Sequence, residues 1–202
     1  MIYIKVIGIT GKTGCGKSTI SGYLEKKLDT AEKIDVDMLA KKIYSENSCA
    51  FKEVVECFGN KICKNDMEID YPSLAREVFS SCMKMDKLNN IMLPLIRDKV
   101  YSEIKKRRNL KFLIIDAAVL FDAGIENLCD VIIQVKSYKK NRMAFLAKSR
   151  PDICNDDIAQ RIKNQKIKII KNKIDFTLNN NSTIDLLYKK TDKIIKNIEN
   201  NK

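Results

Sequence analysis

The pattern of apolar positions begins with a near-continuous run, Tyr3-Ile4-Lys5-Val6-Ile7-Gly8-Ile9, whose β-branched residues predict a buried strand. Gly11 to Ser18 interrupts it as a Gly-rich turn, and from Thr19 to Leu28 apolar residues recur at helical spacing. A short second strand ends at Ile34, just before Asp35-Val36-Asp37. Residues 38–108 are helical in pattern almost throughout. Within them Asp70 caps a helix with Pro72 in its first turn, and Pro94 kinks or separates the helices around it. Phe112–Ile115 and Val131–Val135 are too short and too branched for helices and predict strands. Helical patterns over 138–149, 156–173 and 183–198 follow, with a short strand at Phe176-Thr177-Leu178. Strands alternating with helices predict an α/β fold built on a parallel sheet, with helices on both faces and block 38–108 inserted over one edge. The expected division is a core of 1–37 and 109–202 and a helical insertion of 38–108.

Composition narrows the chemistry. The 202 residues include no histidine, which excludes His-dependent zinc sites, Ser-His-Asp triads and Cys-His dyads. Seven cysteines stand at 15, 49, 57, 63, 82, 129 and 154 without a CxxC pair, and are expected to be packing residues. The net charge of +12 is uneven: residues 1–135 carry 21 basic against 19 acidic side chains, residues 136–202 carry 17 against 7. Only seven of the basic residues are arginine, so a small anionic substrate is expected and nucleic acid is an unlikely partner. No apolar stretch is long enough for a membrane span, and the start has no basic region followed by an apolar one, so the expected location is the cytoplasm. Oligomeric state is not legible.

The chemistry concentrates in Gly11-Lys12-Thr13-Gly14-Cys15-Gly16-Lys17-Ser18, which satisfies G-x-x-x-x-G-K-[ST] between a strand and a helix. Gly11, Gly14, Cys15, Gly16, Lys17, Ser18 and Thr19 are the expected nucleotide-binding residues: backbone N–H groups form a nest for phosphates at a helix N-terminus. Lys17 would bridge the β- and γ-phosphates, and the Ser18 hydroxyl would ligate Mg²⁺. The expected cofactors are therefore ATP and Mg²⁺. Asp116, an acid after four apolar residues, is either a second Mg²⁺ anchor acting through water or a cap for the next segment. Asp35 and Asp37 either bring a proton acceptor near the γ-phosphate or cap the helix starting at Met38, and Asp37 could do both. Arg142 and Arg150 flank the end of a helix where a mobile phosphate clamp would sit; Arg142 is the more easily read as part of a solvated basic face. Arg107 and Arg108 read as an exposed helix end. Cys15, at a helix N-terminus, is expected to be a reactive thiolate.

From Ile7 to about Leu187 the chain resembles the dephospho-CoA kinases, a family of P-loop, nucleoside-monophosphate-kinase-like enzymes. The resemblance is carried by the order of Ile7-Gly8-Ile9-Thr10-Gly11, Ile34-Asp35-Val36-Asp37-Met38, Cys57-Phe58-Gly59, Leu93-Pro94-Leu95-Ile96-Arg97, Ile115-Asp116-Ala117 through Asp122-Ala123-Gly124, Arg150 with Arg161 and Gln165, and Asn179-Asn180. It implies ATP-dependent phosphorylation of the ribose 3′-hydroxyl of dephospho-CoA, the last step to coenzyme A. It further implies Asp37 as general base, with Asp35, Asp37 and Arg97 at the acceptor. Lys17 and Arg150 are the expected catalytic cations, because Lys17 with one Mg²⁺ cannot cover every side of the transferred group. The insertion would be the acceptor-binding region, with a lid around 142–158. The chain departs from the family pattern at Leu93, where a histidine is usual, at Ala118-Val119-Leu120, and at Leu178. Another small-molecule P-loop kinase, for a nucleoside or nucleotide, is the alternative.

Overall fold

The computed structural model describes residues 4–65, 68–149 and 154–200. Five strands form one parallel sheet: β1 (Lys5–Thr10), β2 (Ala31–Asp35), β5 (Phe112–Asp116), β6 (Val131–Lys136) and β7 (Phe176–Asn179), in the order β2-β5-β1-β6-β7. The three inner strands are buried on both faces, which explains why they read as apolar runs rather than alternating patterns. Their side chains divide by the period of two. Ile7, Ile9, Ile114, Ile133 and Val135 face α1 (Lys17–Lys27) and α8 (Ile184–Asn200), meeting Ile20, Leu24, Leu187 and Ile194. Val6, Leu113, Ile115 and Ile132 face the other way, into the core that the helical block completes.

That block contains α2 (Val36–Glu46), α3 (Ser48–Phe58), α4 (Tyr71–Phe79) and α5 (Cys82–Lys106). Leu39, Ile43, Val54, Val78, Met92, Ile96 and Val100 enter the same core as Ile34, Leu113 and Ile115. Two details differ from the periodicity. A small antiparallel hairpin, β3 (Cys63–Asn65) with β4 (Glu68–Ile69), lies inside the stretch that reads as helical. Strands of three and two residues are too short to impose a pattern. Pro94 separates nothing: α5 runs unbroken over 25 residues. The proline leaves the Asn90 carbonyl without its helical donor, a local cost of about 3 kcal/mol in an isolated helix. Burial of Met92, Ile96 and Val100 holds the helix on course through it.

Between β6 and β7, α6 (Lys139–Ser149) and α7 (Asn155–Asn164) pack on each other through Met143, Leu146, Ile158 and Ile162 in a small cluster of their own. The periodicity over 156–173 predicts one helix, but α7 stops at Asn164. Gln165 turns extended, and the chain descends to β7 with Ile169, Ile170 and Ile174 packed on the main core and the Lys168 N–H donating to Asp122 at 3.2 Å.

Candidate active site

The phosphate-type loop is built as its sequence requires. β1 ends at Thr10, and the chain turns through Gly11 and Gly14 into α1. Gly14 has φ +76°, and a Cβ there would lie 2.9 Å from the Arg142 carbonyl oxygen. At Gly11 a Cβ would lie 2.3 Å from the carbonyl oxygen of Val135, so β6 passes directly behind the loop. Gly16 caps α1 with no side-chain hydrogen bond, and the first turn has no acidic residue. The start of α1 thus presents its positive end to an external anion without a competing cap or carboxylate.

The loop forms one wall of a cavity of about 980 Å³. Thr13, Gly14, Gly16, Lys17, Ser18 and Thr19 line it on the α1 side, and Asp37, Lys41 and Tyr44 on the α2 side. Tyr71, Arg76 and Phe79 of α4 continue the wall, and Phe145 of α6 with Arg161 of α7 close it. Arg161 stands over the Phe79 ring, 5.1 Å from its centroid. Phosphate-type donors, a carboxylate and an aromatic, cationic surface therefore share one space.

The sequence-predicted residues separate into those on the wall and those behind it. Asp35 is the helix cap, accepting from the Met38 N–H at 3.0 Å. Asp37 does not share that job: it lies in the first turn of α2 and lines the cavity with Lys17. The second strand extends to Asp35 and the helix begins at Val36, so the two carboxylates part company at the strand–helix junction. Asp116 ends β5 beside Asp35 in register, is buried, and accepts from the Ser21 hydroxyl at 3.0 Å. It caps no helix, since turns follow it. Arg97 is exposed on α5, outside the cavity wall and next to Gly124. Arg150 lies outside the described residues, as does the tip of the expected lid.

Cys15 is 1 % exposed, and burial pushes its thiol pKa up against the pull of the Lys17 ammonium. The expected reactive thiolate is therefore overturned: loss of water outweighs the nearby positive charge. Arg107 is not a free helix end either. It pairs with Glu103 and, at 2.8 Å, with Glu32 of β2.

Arg142 is the larger correction. It is 5 % exposed rather than solvated, and its Nε donates to the Thr13 carbonyl at 2.8 Å. Two further side chains hold the loop. The Thr13 N–H donates to Gln165 Oε1 at 2.8 Å, and Asn180 Nδ2 donates to the Cys15 carbonyl at 3.0 Å. Among the described residues no group of three or more Cys, Asp or Glu side chains could hold a metal ion by itself. No helix among the described residues is long and apolar enough to cross a membrane.

Residues 5–185 match the family model described as Dephospho-CoA kinase. A dephospho-CoA kinase of Fusobacterium nucleatum is 34 % identical over 199 residues, covering 96 % of this chain and 99 % of that one. Among solved structures, a dephospho-CoA kinase from Campylobacter jejuni superposes with a TM-score of 0.62 at 23 % identity, covering 97 % and 98 % of the two chains. A shikimate kinase from Acinetobacter baumannii reaches 0.55 at 15 % identity, covering 100 % and 96 %. These two share the fold.

Proposed function

We infer the reaction from one premise: this chain belongs to the dephospho-CoA kinase family. It is a kinase that uses a nucleoside triphosphate to phosphorylate dephospho-CoA in coenzyme A biosynthesis. The observation that supports the residue assignments is that one cavity has Lys17 on one wall and Asp37 on the other.

In the proposed reaction the ATP phosphates lie on the N–H groups at the start of α1, with Lys17 against the β- and γ-phosphates. The ribose 3′-hydroxyl of dephospho-CoA enters from the α2 side. Its oxygen attacks the γ-phosphorus, the bond to the β–γ bridging oxygen breaks, and ADP leaves. The hydroxyl proton passes to the Asp37 carboxylate. Ser18 and, through water, Asp116 would hold Mg²⁺, which when bound offsets negative charge on the transferred group. Asp35 serves this geometry by capping α2 and so fixing the turn that carries Asp37. Arg150 is proposed as the second cation on the transferred group, and the α2 and α4 surface as the acceptor wall, with Arg97 a more distant acceptor contact.

An ADP-release assay with dephospho-CoA, adenosine and nucleoside monophosphates tests the assignment. Turnover of dephospho-CoA should exceed that of the others by orders of magnitude. Equal turnover of an unrelated acceptor would overturn the substrate while leaving a kinase.

A further inference from the structure

Helices α6 and α7 form a unit of their own. Their shared apolar cluster, Met143, Leu146, Ile158 and Ile162, is separate from both main cores. What ties the two ends of this unit to the sheet is therefore informative, and both ends reach one residue. Arg142, near the start of α6, donates to the Thr13 carbonyl. Gln165, the residue after α7, accepts from the Thr13 N–H. Twenty-three positions apart in sequence, the two side chains occupy both backbone groups of a single residue in the phosphate-type loop.

The cost of this arrangement shows that it is specific. A guanidinium is buried with its Nη2 unpartnered among the described residues, and burial alone lowers its pKa. An apolar side chain would fill the same volume without that penalty. It could not, however, satisfy the Thr13 carbonyl. The fit behind it is close as well: the Arg142 backbone and Leu146 leave no room for a Cβ on Gly14.

We propose that Arg142 and Gln165 are positioning residues that clasp Thr13, so that the phosphate loop keeps its nucleotide-binding shape only while both roots of the α6–α7 unit are seated. Because Gly14 to Ser18 follow directly on Thr13, release of either root loosens the N–H groups that face the phosphates. The inference rests on the assignment of this loop to the nucleotide.

The test is a double-mutant cycle read by calorimetric titration with ADP. Arg142→Met and Gln165→Met should each weaken ADP binding by about tenfold. The double variant should be little weaker than either alone, because both act through one residue. The KM for dephospho-CoA should stay within about twofold. Gln165→Glu, which keeps an oxygen acceptor at the same reach, should recover most of the affinity lost in Gln165→Met. A double variant weakened by about a hundredfold would overturn the clasp, and so would equal rises in KM for both substrates. If Arg142→Met does not fold, the Gln165→Met and Gln165→Glu pair decides alone: no recovery overturns the proposal. Absence of ADP binding by the unaltered protein would instead overturn the proposed function and this inference together.

Discussion

Lys17 and Asp37 face one cavity from two helices, and their chemistry predicts different kinetic failures. Lys17→Ala removes a positive charge where negative charge builds up, and kcat should fall by roughly 10²- to 10³-fold. Asp37→Asn keeps shape and hydrogen-bonding capacity but cannot take the proton. Its kcat should fall by at least roughly 10²-fold with ATP affinity nearly unchanged. Steady-state kinetics of both variants, with Asp35→Asn alongside, check the assignment; a larger kcat loss in Asp35→Asn would move the base. Cys15 gives a prediction of opposite sense. Its thiol is buried and held protonated, whereas Cys49, Cys57 and Cys154 are exposed. Iodoacetamide should modify those three first in the folded protein, leaving activity largely intact, as peptide mass spectrometry would show. Rapid Cys15 labelling that ATP prevents would contradict it. The sequence made the loop and its Lys17 legible because the motif prescribes backbone shape. It did not reveal the burial of Cys15, because a helix N-terminus and a dry interior push a thiol in opposite directions and only packing decides between them. Arg142 was hidden for the same reason: nothing in Lys139-Lys140-Asn141-Arg142 marks one cation among three as buried.

At the scale of elements, boundaries were legible where one physical cause fixes them and illegible where distant residues do. Asp70 and Pro72 mark the start of α4 from local chemistry, although the Asp70 carboxylate receives the Ser73 hydroxyl rather than a backbone N–H. The end of α7 depends on Thr13, which takes the Gln165 side chain from 152 positions away, and no window of sequence contains that cause. The end of α5 is another long-range matter. Glu103 accepts from Lys106 at 2.8 Å and from Arg107, which also reaches Glu32 of β2. These two cations hold the Glu103 carboxyl down at about 2, from an ordinary value of 4.5. Its contribution is fully present above pH 4.5 and is lost as pH falls through about 2, because the unfolded chain takes up the proton first. Glu103→Gln should therefore lower the melting temperature at pH 7 by no more than a few degrees, the scale of a partly exposed ion pair. The gap to the unaltered protein should shrink progressively below pH 4.5. Thermal melts of both proteins from pH 7 to pH 3 measure this, and a gap that widens on acidification would refute it.

The whole molecule is joined less by its sheet than by what lies on one face of it. Ile34, Leu113 and Ile115 of the strands share a single buried cluster with Val54, Val78 and Val100 of the helical block. Removing the block would bare that sheet face, and removing the sheet would leave α2 to α5 packed around nothing. The sheet closes a core by itself only on its α1–α8 face, and α2 to α5 share their core with the other face, so the two parts should unfold together. Calorimetry should show one endotherm whose calorimetric and van't Hoff enthalpies agree. The cavity lies between the same parts, since its walls come from the phosphate loop, α2 and α4. A nucleotide bound there stabilises the one cooperative unit rather than a subdomain. At a free concentration about a hundred times its Kd, ADP adds about 2.7 kcal/mol. For a chain of this length that raises the melting temperature by about 5–10 °C, with the transition still single. Two resolved transitions, only the later one moved by ADP, would mean that the helical block melts by itself and that the shared cluster does not bind it to the sheet.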